Sequence, residues 1–323
     1  MHTIDILIPT YNPKREHLTV ALESLQKQTF QDWKAFIHDD CSPNGETESF
    51  VQPFLSDSRI TFKRSPKRLG IGGNWNACFK QTSAPIVAYL FQDDLWSPLY
   101  LEKGIETLQK NPSAGFVSME HEYKTEGGMT NLPLYEGVQA FRKANVAPGL
   151  HTGKKFLHFW ILHELHPNVI REPSFVLMRR NVMEKAGPFL EDMPQFLDTE
   201  YWLRLLAITD WYNLTNSNYG TFRVHPSAAS NVNQITGQGM FDRLRCFEGL
   251  ISRLQGEERS VAIKARNHAL ITMVGKFLKR QKAGAETGMK KKNSKDRAWI
   301  IRFCLRHPLL IIKTIITYFL TKK

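Results

Sequence analysis

Between residues 3 and 118 short apolar runs alternate with longer stretches of helical spacing, and this alternation restricts the fold more than any other property of the chain. Strand-like runs fall near 3–8, 33–38, 60–63, 86–91 and 115–118, with helix-like segments near 15–28, 44–56, 73–82 and 98–110 between them. Strands joined by helices pair in parallel and are covered on both faces, so the pattern predicts an α/β fold on a mostly parallel sheet flanked by helices. In the first helix Leu18, Ala21, Leu22 and Leu25 recur at helical spacing and form one apolar stripe against the sheet.

Two of the strands run into adjacent carboxylates, 35–38 into Asp39-Asp40 and 86–92 into Asp93-Asp94. In open α/β sheets ligands bind in the crevice at the carboxyl ends of the strands, so both pairs can face one cavity. Clustered carboxylates repel unless a cation or ligand donors occupy the space between them. One such pair is equally well a solvated turn, because Asp can bond its own backbone where a strand ends. Two pairs in the same strand-to-loop context favour a site.

Beyond residue 118 the periodicity weakens. Gly127-Gly128, Pro133, Pro148 and Gly149 punctuate 120–170, which reads as an insertion of loops with a helix around 154–165. A strand-like 174–178 follows, then a short helix opening at 179–181 and ending at Gly187-Pro188. Helical spacing returns over 199–208 with Asp198 in the N-cap position. Residues 219–224 read as another strand, 231–239 as a polar loop and 240–281 as helices.

A chain of 323 residues can bury one large core or two modest ones. Its formal charge of +12 suggests a nucleic-acid partner until the charge is located. From Lys276 onward stand fourteen Lys or Arg against Glu286 and Asp296, which is the whole excess. The body is neutral, which argues against nucleic-acid binding there. Cys41, Cys78, Cys246 and Cys304 lack metal-ligand spacing and are expected as reduced thiols in a cytosolic compartment. His151, His158, His163 and His166 have no recognisable zinc spacing. Met1-His2-Thr3 leads directly into the first strand, so no secretory signal is expected.

After Gly284 the composition turns basic, with Lys290-Lys291-Lys292 and Lys295, and then apolar. The apolar run after Pro308 is about thirteen residues and is broken by Lys313, short of the roughly twenty a spanning helix needs. An amphipathic, membrane-associating tail over 284–323 is the expectation. Trp299, Ile300, Phe303, Ile311, Ile312, Ile315, Ile316 and Phe319 would enter the headgroup region while Lys and Arg meet anionic lipid. The competing reading packs these apolar side chains on the protein and leaves the lysines as a solvated linker.

Pro9-Thr10-Tyr11-Asn12, Asp39-Asp40-Cys41-Ser42, Leu69-Gly70-Ile71-Gly72-Gly73-Asn74-Trp75-Asn76 and Gln92-Asp93-Asp94 carry a resemblance. In order and spacing, over roughly residues 3 to 230, they resemble the inverting family 2 glycosyltransferases of the GT-A fold, of the bacterial surface-polysaccharide type. The resemblance implies a Rossmann-like GT-A catalytic domain over 1–235, with a nucleotide-binding half at 1–118 and an acceptor half at 119–235. A helical extension over 236–283 and the tail would follow. It also implies transfer of a sugar from a nucleoside-diphosphate donor, a UDP-sugar by expectation, to an acceptor hydroxyl.

By the family pattern Thr10 and Asp39 would hold the nucleoside, with Pro9, Tyr11 and Asn12 also binding the donor, and a carboxylate such as Asp39 can accept the uracil imide proton. Asp40 would lie near the ribose or support the turn. Asp94 matches the metal-binding acidic motif for Mn²⁺ or Mg²⁺, with Asp93 nearer the donor sugar or ribose. His225, in Arg223-Val224-His225, would complete the metal site or contact diphosphate. Arg68 stands where the family commonly has Asn, and is a secondary candidate for pairing with a diphosphate oxygen, Asp39 or Asp93. Asn76 keeps its polar donor-binding position.

Asp198, followed six residues later by Arg204, reproduces the position of the base that takes the acceptor proton, although Leu197 stands where the family often has an acid. Without the resemblance an N-cap explains Asp198 fully. Glu200, four before Arg204, is expected to form the intrahelical ion pair. The implied protein is cytoplasmic and peripheral on the inner face of the cell membrane, and acts on a lipid-linked oligosaccharide. A nucleotide-sugar-binding or scaffold protein without turnover is the alternative, disfavoured because Asp94 and Asp198 are both acidic. A processive synthase lacks its channel segments here, and a nucleotidyltransferase lacks a glycine-rich phosphate loop after the first strand.

Overall fold

The computed structural model describes residues 2–127, 132–287 and 294–320. The chain divides into two compact units, one formed by Met1–Leu157, Pro167–Asp192 and Glu200–Pro226, the other by His158–His166, Met193–Thr199 and Ser227–Lys323.

The first unit opens with β1 (Ile4–Thr10), α1 (Arg15–Gln26), β2 (Trp33–Asp39), α2 (Glu46–Val51), β3 (Ile60–Arg64), α3 (Gly70–Phe79) and β4 (Ile86–Tyr89). All seven residues of β1 are buried, as a strand covered on both faces requires. Then come β5 (Leu95–Trp96), α4 (Tyr100–Lys110), β6 (Ala114–Met119), β7 (Glu122–Thr125), α5 (Leu132–Asn145), β8 (Gly149–His151) and α6 (Gly153–Leu162). β9 (Val176–Arg179), α7 (Arg180–Ala186), α8 (Leu197–Ile208), β10 (Asp210–Leu214) and β11 (Gly220–Val224) follow; α6 and α8 each contribute residues to both units.

Eight strands form one sheet in the order β3-β2-β1-β4-β9-β6-β10-β8, and β5, β11 and β7 form a second. The strand order reverses between β1 and β4, which makes the carboxyl ends of these two strands the crevice where such sheets bind ligands. β9 enters antiparallel between β4 and β6, so the sheet is mostly but not wholly parallel.

Several expected boundaries are corrected. The helix placed at 73–82 begins at Gly70, because the Asp40 carboxylate accepts the N–H groups of Leu69 (2.6 Å) and Gly70 (2.9 Å) and caps its first turn. Gly72 within it permits close approach, since a Cβ there would lie 2.8 Å from the Leu190 carbonyl oxygen. The helix expected at 44–56 is α2 followed by a 3-10 turn at Gln52–Phe54. Strands β5, β7, β8 and β10 were not apparent in the sequence, the first three being only two to four residues long. α8 starts at Leu197, so Asp198 is its second residue rather than its N-cap.

In the second unit 231–239 is not a loop: α9 (Ala229–Thr236) occupies most of it, ended by Gly237 at φ 76°. Its polar residues hid a helix that the Asn233 side chain ties to the Pro194 carbonyl at 2.9 Å. α10 (Asp242–Ile251), α11 (Gly256–Thr287), α12 (Ser294–Arg306) and α13 (Pro308–Leu320) complete the unit. Its core gathers Leu244, Leu270, Met273 and Phe303, with Trp299, Ile300 and Ile311 packed against it. Half of the side chains expected in lipid therefore face protein, while Ile312, Ile315 and Ile316 are exposed. Phe319, Lys290, Lys291, Lys292 and Lys295 lie outside the described side chains. No described helix is long and apolar enough to cross a membrane.

Candidate active site

In-register pairing brings Thr10 at the end of β1 opposite Asp39 at the end of β2. The chain then turns sharply after each strand, with Asn12 at φ 46° and Cys41 at φ 57°, a left-handed conformation uncommon outside glycine. The two turns are tied together: Asp40 N–H donates to the Thr10 carbonyl at 2.8 Å, and Asn12 N–H donates to Ser42 Oγ at 2.8 Å. Asn12, Pro13, Ser42, Asn44, Thr47 and Phe50 line a small cleft there.

Asp39 is fully buried at the floor of this region. Its carboxylate accepts the Ser42 N–H (2.9 Å), the Ser42 hydroxyl and the Thr47 hydroxyl (2.9 Å), and Arg64 Nε lies 3.4 Å away. Arg64, not Arg68, is thus the cation beside Asp39. The Arg68 guanidinium covers the Tyr11 ring at 3.8 Å from its centroid. Burial pushes the Asp40 carboxyl above its ordinary pKa, and the Leu69 and Gly70 N–H groups pull it back. Both Asp40 oxygens are thus engaged at the start of α3.

The loop after β4 is fixed to the loop after β1 by a reciprocal clamp: Tyr11 N–H donates to Gln92 Oε1 (2.8 Å) and Gln92 Nε2 donates to the Tyr11 carbonyl (3.2 Å). Beyond it Asp94 is buried, with Oδ1 accepting Arg223 N–H at 3.1 Å and Oδ2 having no hydrogen-bond partner among the described residues. Burial first, and the Asp93 carboxylate second, raise the Asp94 pKa well above its ordinary value, while the Ser174 side chain and the Arg223 N–H pull it back. Asp93 Oδ2 meets His225 Nε2 at 2.8 Å, and Arg223 Nε donates to the Asp93 carbonyl at 2.9 Å.

Behind His225, the His17 ring stands edge-on at a centroid distance of 5.2 Å. Glu126 joins the two sides, 2.9 Å from His17 Nε2 and also paired with Arg223. The sequence motif Gln92-Asp93-Asp94 includes Gln92 but gave it no role, and His17 and Glu126 gave no signal.

An orphaned carboxylate oxygen beside a second carboxylate suits a hard divalent cation. Asp94 would hold Mn²⁺ or Mg²⁺, with His225 close to the same strand end through Asp93. Among the described residues no three His, Cys, Asp or Glu side chains form a ready-made metal cage. A cation that also takes diphosphate oxygens and waters does not need one.

Asn76 is engaged on both sides by one residue, its Nδ2 donating to the Phe189 carbonyl and its Oδ1 accepting the Phe189 N–H, both at 2.9 Å. It fixes the segment before Glu191, whose carboxylate lies 3.5 Å from the same amide nitrogen. On α8, Glu200 pairs with Arg204 at 2.8 Å, as expected, and Arg204 also donates to the Pro188 carbonyl at 2.9 Å. Asp198 is half-buried and its Oδ1 accepts the Thr199 N–H at 2.7 Å.

A mostly parallel sheet that turns between β1 and β4, with carboxylates at the turn, is an α/β fold of the GT-A class. The chain belongs to glycosyl transferase family 2, whose family model matches residues 5–185. It is 29% identical over 110 residues to the Escherichia coli UDP-Glc:alpha-D-GlcNAc-diphosphoundecaprenol beta-1,3-glucosyltransferase WfgD, a match covering 34% of this chain and 42% of that protein. The chain thus spans less than half the length of that relative.

Two solved structures share the fold. Staphylococcus aureus TarS 1–349 in complex with UDP-GlcNAc superposes with a TM-score of 0.61 at 14% identity, covering 84% of this chain and 71% of that one. The Pyrobaculum calidifontis mannosyltransferase PcManGT, in complex with GDP-Man and Mn²⁺, gives 0.61 at 15% identity, covering 100% and 88%.

Proposed function

We propose that this chain is an inverting, metal-dependent glycosyltransferase that moves a sugar from a nucleoside-diphosphate donor, a UDP-sugar, to a hydroxyl of a lipid-linked glycan during surface-polysaccharide synthesis. The observation that carries the reading is the buried, unpartnered Oδ2 of Asp94 beside Asp93, at the point where the strand order reverses. WfgD is a UDP-Glc:alpha-D-GlcNAc-diphosphoundecaprenol glucosyltransferase, and TarS and PcManGT are seen in complex with UDP-GlcNAc and GDP-Man, which supports a nucleotide-sugar donor and a lipid-linked acceptor here.

In this account the turns after β1 and β2 hold the nucleoside through Thr10, Tyr11, Asn12 and the Asp39 region. Asp94 and His225 hold Mn²⁺ or Mg²⁺, which when bound neutralises charge developing on the leaving diphosphate. Asp93 orients the donor, and Arg68 is free to leave the Tyr11 face for a phosphate oxygen. Asp198 takes the acceptor hydroxyl proton as that oxygen forms the new glycosidic bond and the diphosphate departs from the opposite face of the sugar.

The proposed location is the cytoplasmic face of the cell membrane, with the basic C-terminal segment as the contact. A panel of nucleotide sugars incubated with Mn²⁺ and an undecaprenyl-linked sugar tests the reading. One donor is expected to be consumed only when metal is present. Binding of no nucleoside diphosphate at all, with Mn²⁺ supplied, would overturn it.

A further inference from the structure

Helices α12 and α13 have two opposed faces. On the inner one Phe303, Thr314 and Tyr318 are buried and Trp299, Ile300 and Ile311 pack beside them. Tyr318 lies so close to α11 that a Cβ on Gly275 would stand 2.5 Å from its ring. On the outer face Ile301, Leu305, Leu309, Ile312, Ile316 and Leu320 are exposed, Leu305 by 76%, Leu309 by 81% and Leu320 by 67%.

These six positions are three or four residues apart. The two helices meet at His307, whose N–H closes α12 on the Phe303 carbonyl (3.0 Å) and whose carbonyl accepts Ile311 N–H (3.1 Å) at the start of α13. At about 100° per residue Leu309, Ile312, Ile316 and Leu320 form one stripe of α13 roughly 80° wide, and Ile301 and Leu305 lie one turn apart on the same side of α12. Arg302 and Arg306 on α12 and Lys313 on α13, all exposed, each follow one of these apolar residues by one position.

We propose that this stripe is a membrane-docking face that lies along the surface of anionic phospholipid. The inner face already covers the core, so the outer residues are not needed for packing. Six large exposed aliphatic side chains on two successive helices exceed the scattered apolar exposure that soluble surfaces tolerate. Aliphatic groups entering the acyl boundary beside cations that meet acidic headgroups is how interfacial helices bind.

Each helix has thirteen residues, a length that lies on a bilayer rather than crossing it. Charge selects lipid over a second copy of the chain: residues 298–320 carry Arg302, Arg306 and Lys313 and no Asp or Glu, so the same segment of a second copy offers these cations no counter-charge. This inference rests on the proposal that the chain works at a lipid surface, and it changes the contact set from the one the sequence suggests by turning Trp299 and Phe303 inward.

The test is co-sedimentation of the whole chain with vesicles of phosphatidylglycerol and phosphatidylcholine. Binding is expected to vesicles containing phosphatidylglycerol and to be weak with phosphatidylcholine alone. The double variant Ile312→Glu with Ile316→Glu is expected to lower it about tenfold or more. A control double variant at exposed apolar positions outside the stripe, Leu134→Glu with Leu150→Glu, is expected to keep wild-type binding. Thermal melts identify any variant that fails to fold.

If wild type binds and the stripe variant binds equally well, the face is wrong while the lipid-surface reading survives. If wild type ignores all vesicles, both fall. If the stripe variant instead converts a dimer to a monomer, the occupant is a second copy and the lipid proposal is overturned.

Discussion

Asp93 Oδ2 and His225 Nε2 lie 2.8 Å apart, joining the loop after β4 to the end of β11. The contact holds the imidazole at the same strand end as the unpartnered Asp94 oxygen. If His225 serves the cation or the diphosphate, His225→Ala lowers kcat/KM by tenfold or more, and raising Mn²⁺ recovers part of the loss. A metal titration of both proteins checks this. Equal metal dependence in the two would remove His225 from the site.

The Asp40 carboxylate caps α3, which separates its role from that of Asp39. Asp40→Ala is expected to cost about 1–2 kcal/mol of stability while leaving nucleotide affinity within about threefold once the protein is folded. Urea unfolding and nucleotide titration on the same sample distinguish the two effects. A large loss of affinity with unchanged stability would return Asp40 to the ribose.

How much of this was legible before the structure depended on the range of the contact involved. Alternating apolar and helical segments follow from local periodicity, and Thr10, Asp39 and Asp94 stood out because each ends a strand or follows one. Which partner each side chain has was not readable, because those partners are remote in sequence. Arg64 rather than Arg68 sits by Asp39, Gln92 clamps Tyr11, and Asn76 binds the backbone of Phe189. The tail gives the same lesson. Helical spacing separates residues 301, 305, 309, 312, 316 and 320 from 303, 314 and 318, but only packing against Leu270 and Met273 decides which set faces inward.

At the edge of the sheet Asp57 binds Arg59 through Nε (2.9 Å) and Nη2 (2.7 Å), and Arg59 covers the Trp33 ring at 3.8 Å. The Arg59 hydrogen bonds lower the Asp57 pKa from 3.8 to about 2. A depressed carboxyl pKa stabilises the fold fully above 3.8, and that contribution is lost as pH falls through about 2. Asp57→Asn is therefore expected to melt modestly lower than wild type at pH 7, with the gap closing below about pH 2. Parallel melting curves across that window check it, and a gap independent of pH would contradict it.

Asp198 carries the acceptor half of the proposal. Asp198→Asn keeps the shape and the bond to the Thr199 N–H through its amide oxygen, but removes the base. Transfer is expected to fall by about 10²- to 10⁴-fold with donor affinity nearly unchanged. Single-turnover transfer and donor binding measured together decide this, and full activity in the variant would assign the proton to another group.

The central claim is that the Asp94 oxygen without a hydrogen-bond partner is the anchor for a metal–diphosphate donor. Calorimetric titration of UDP and GDP into wild type and Asp94→Asn, each with Mn²⁺ and with chelator, tests it most directly. The account predicts binding of one nucleotide to wild type with Mn²⁺, a loss of about tenfold or more with chelator, and an equal loss in Asp94→Asn even with Mn²⁺. Binding of equal strength in all four conditions would contradict it.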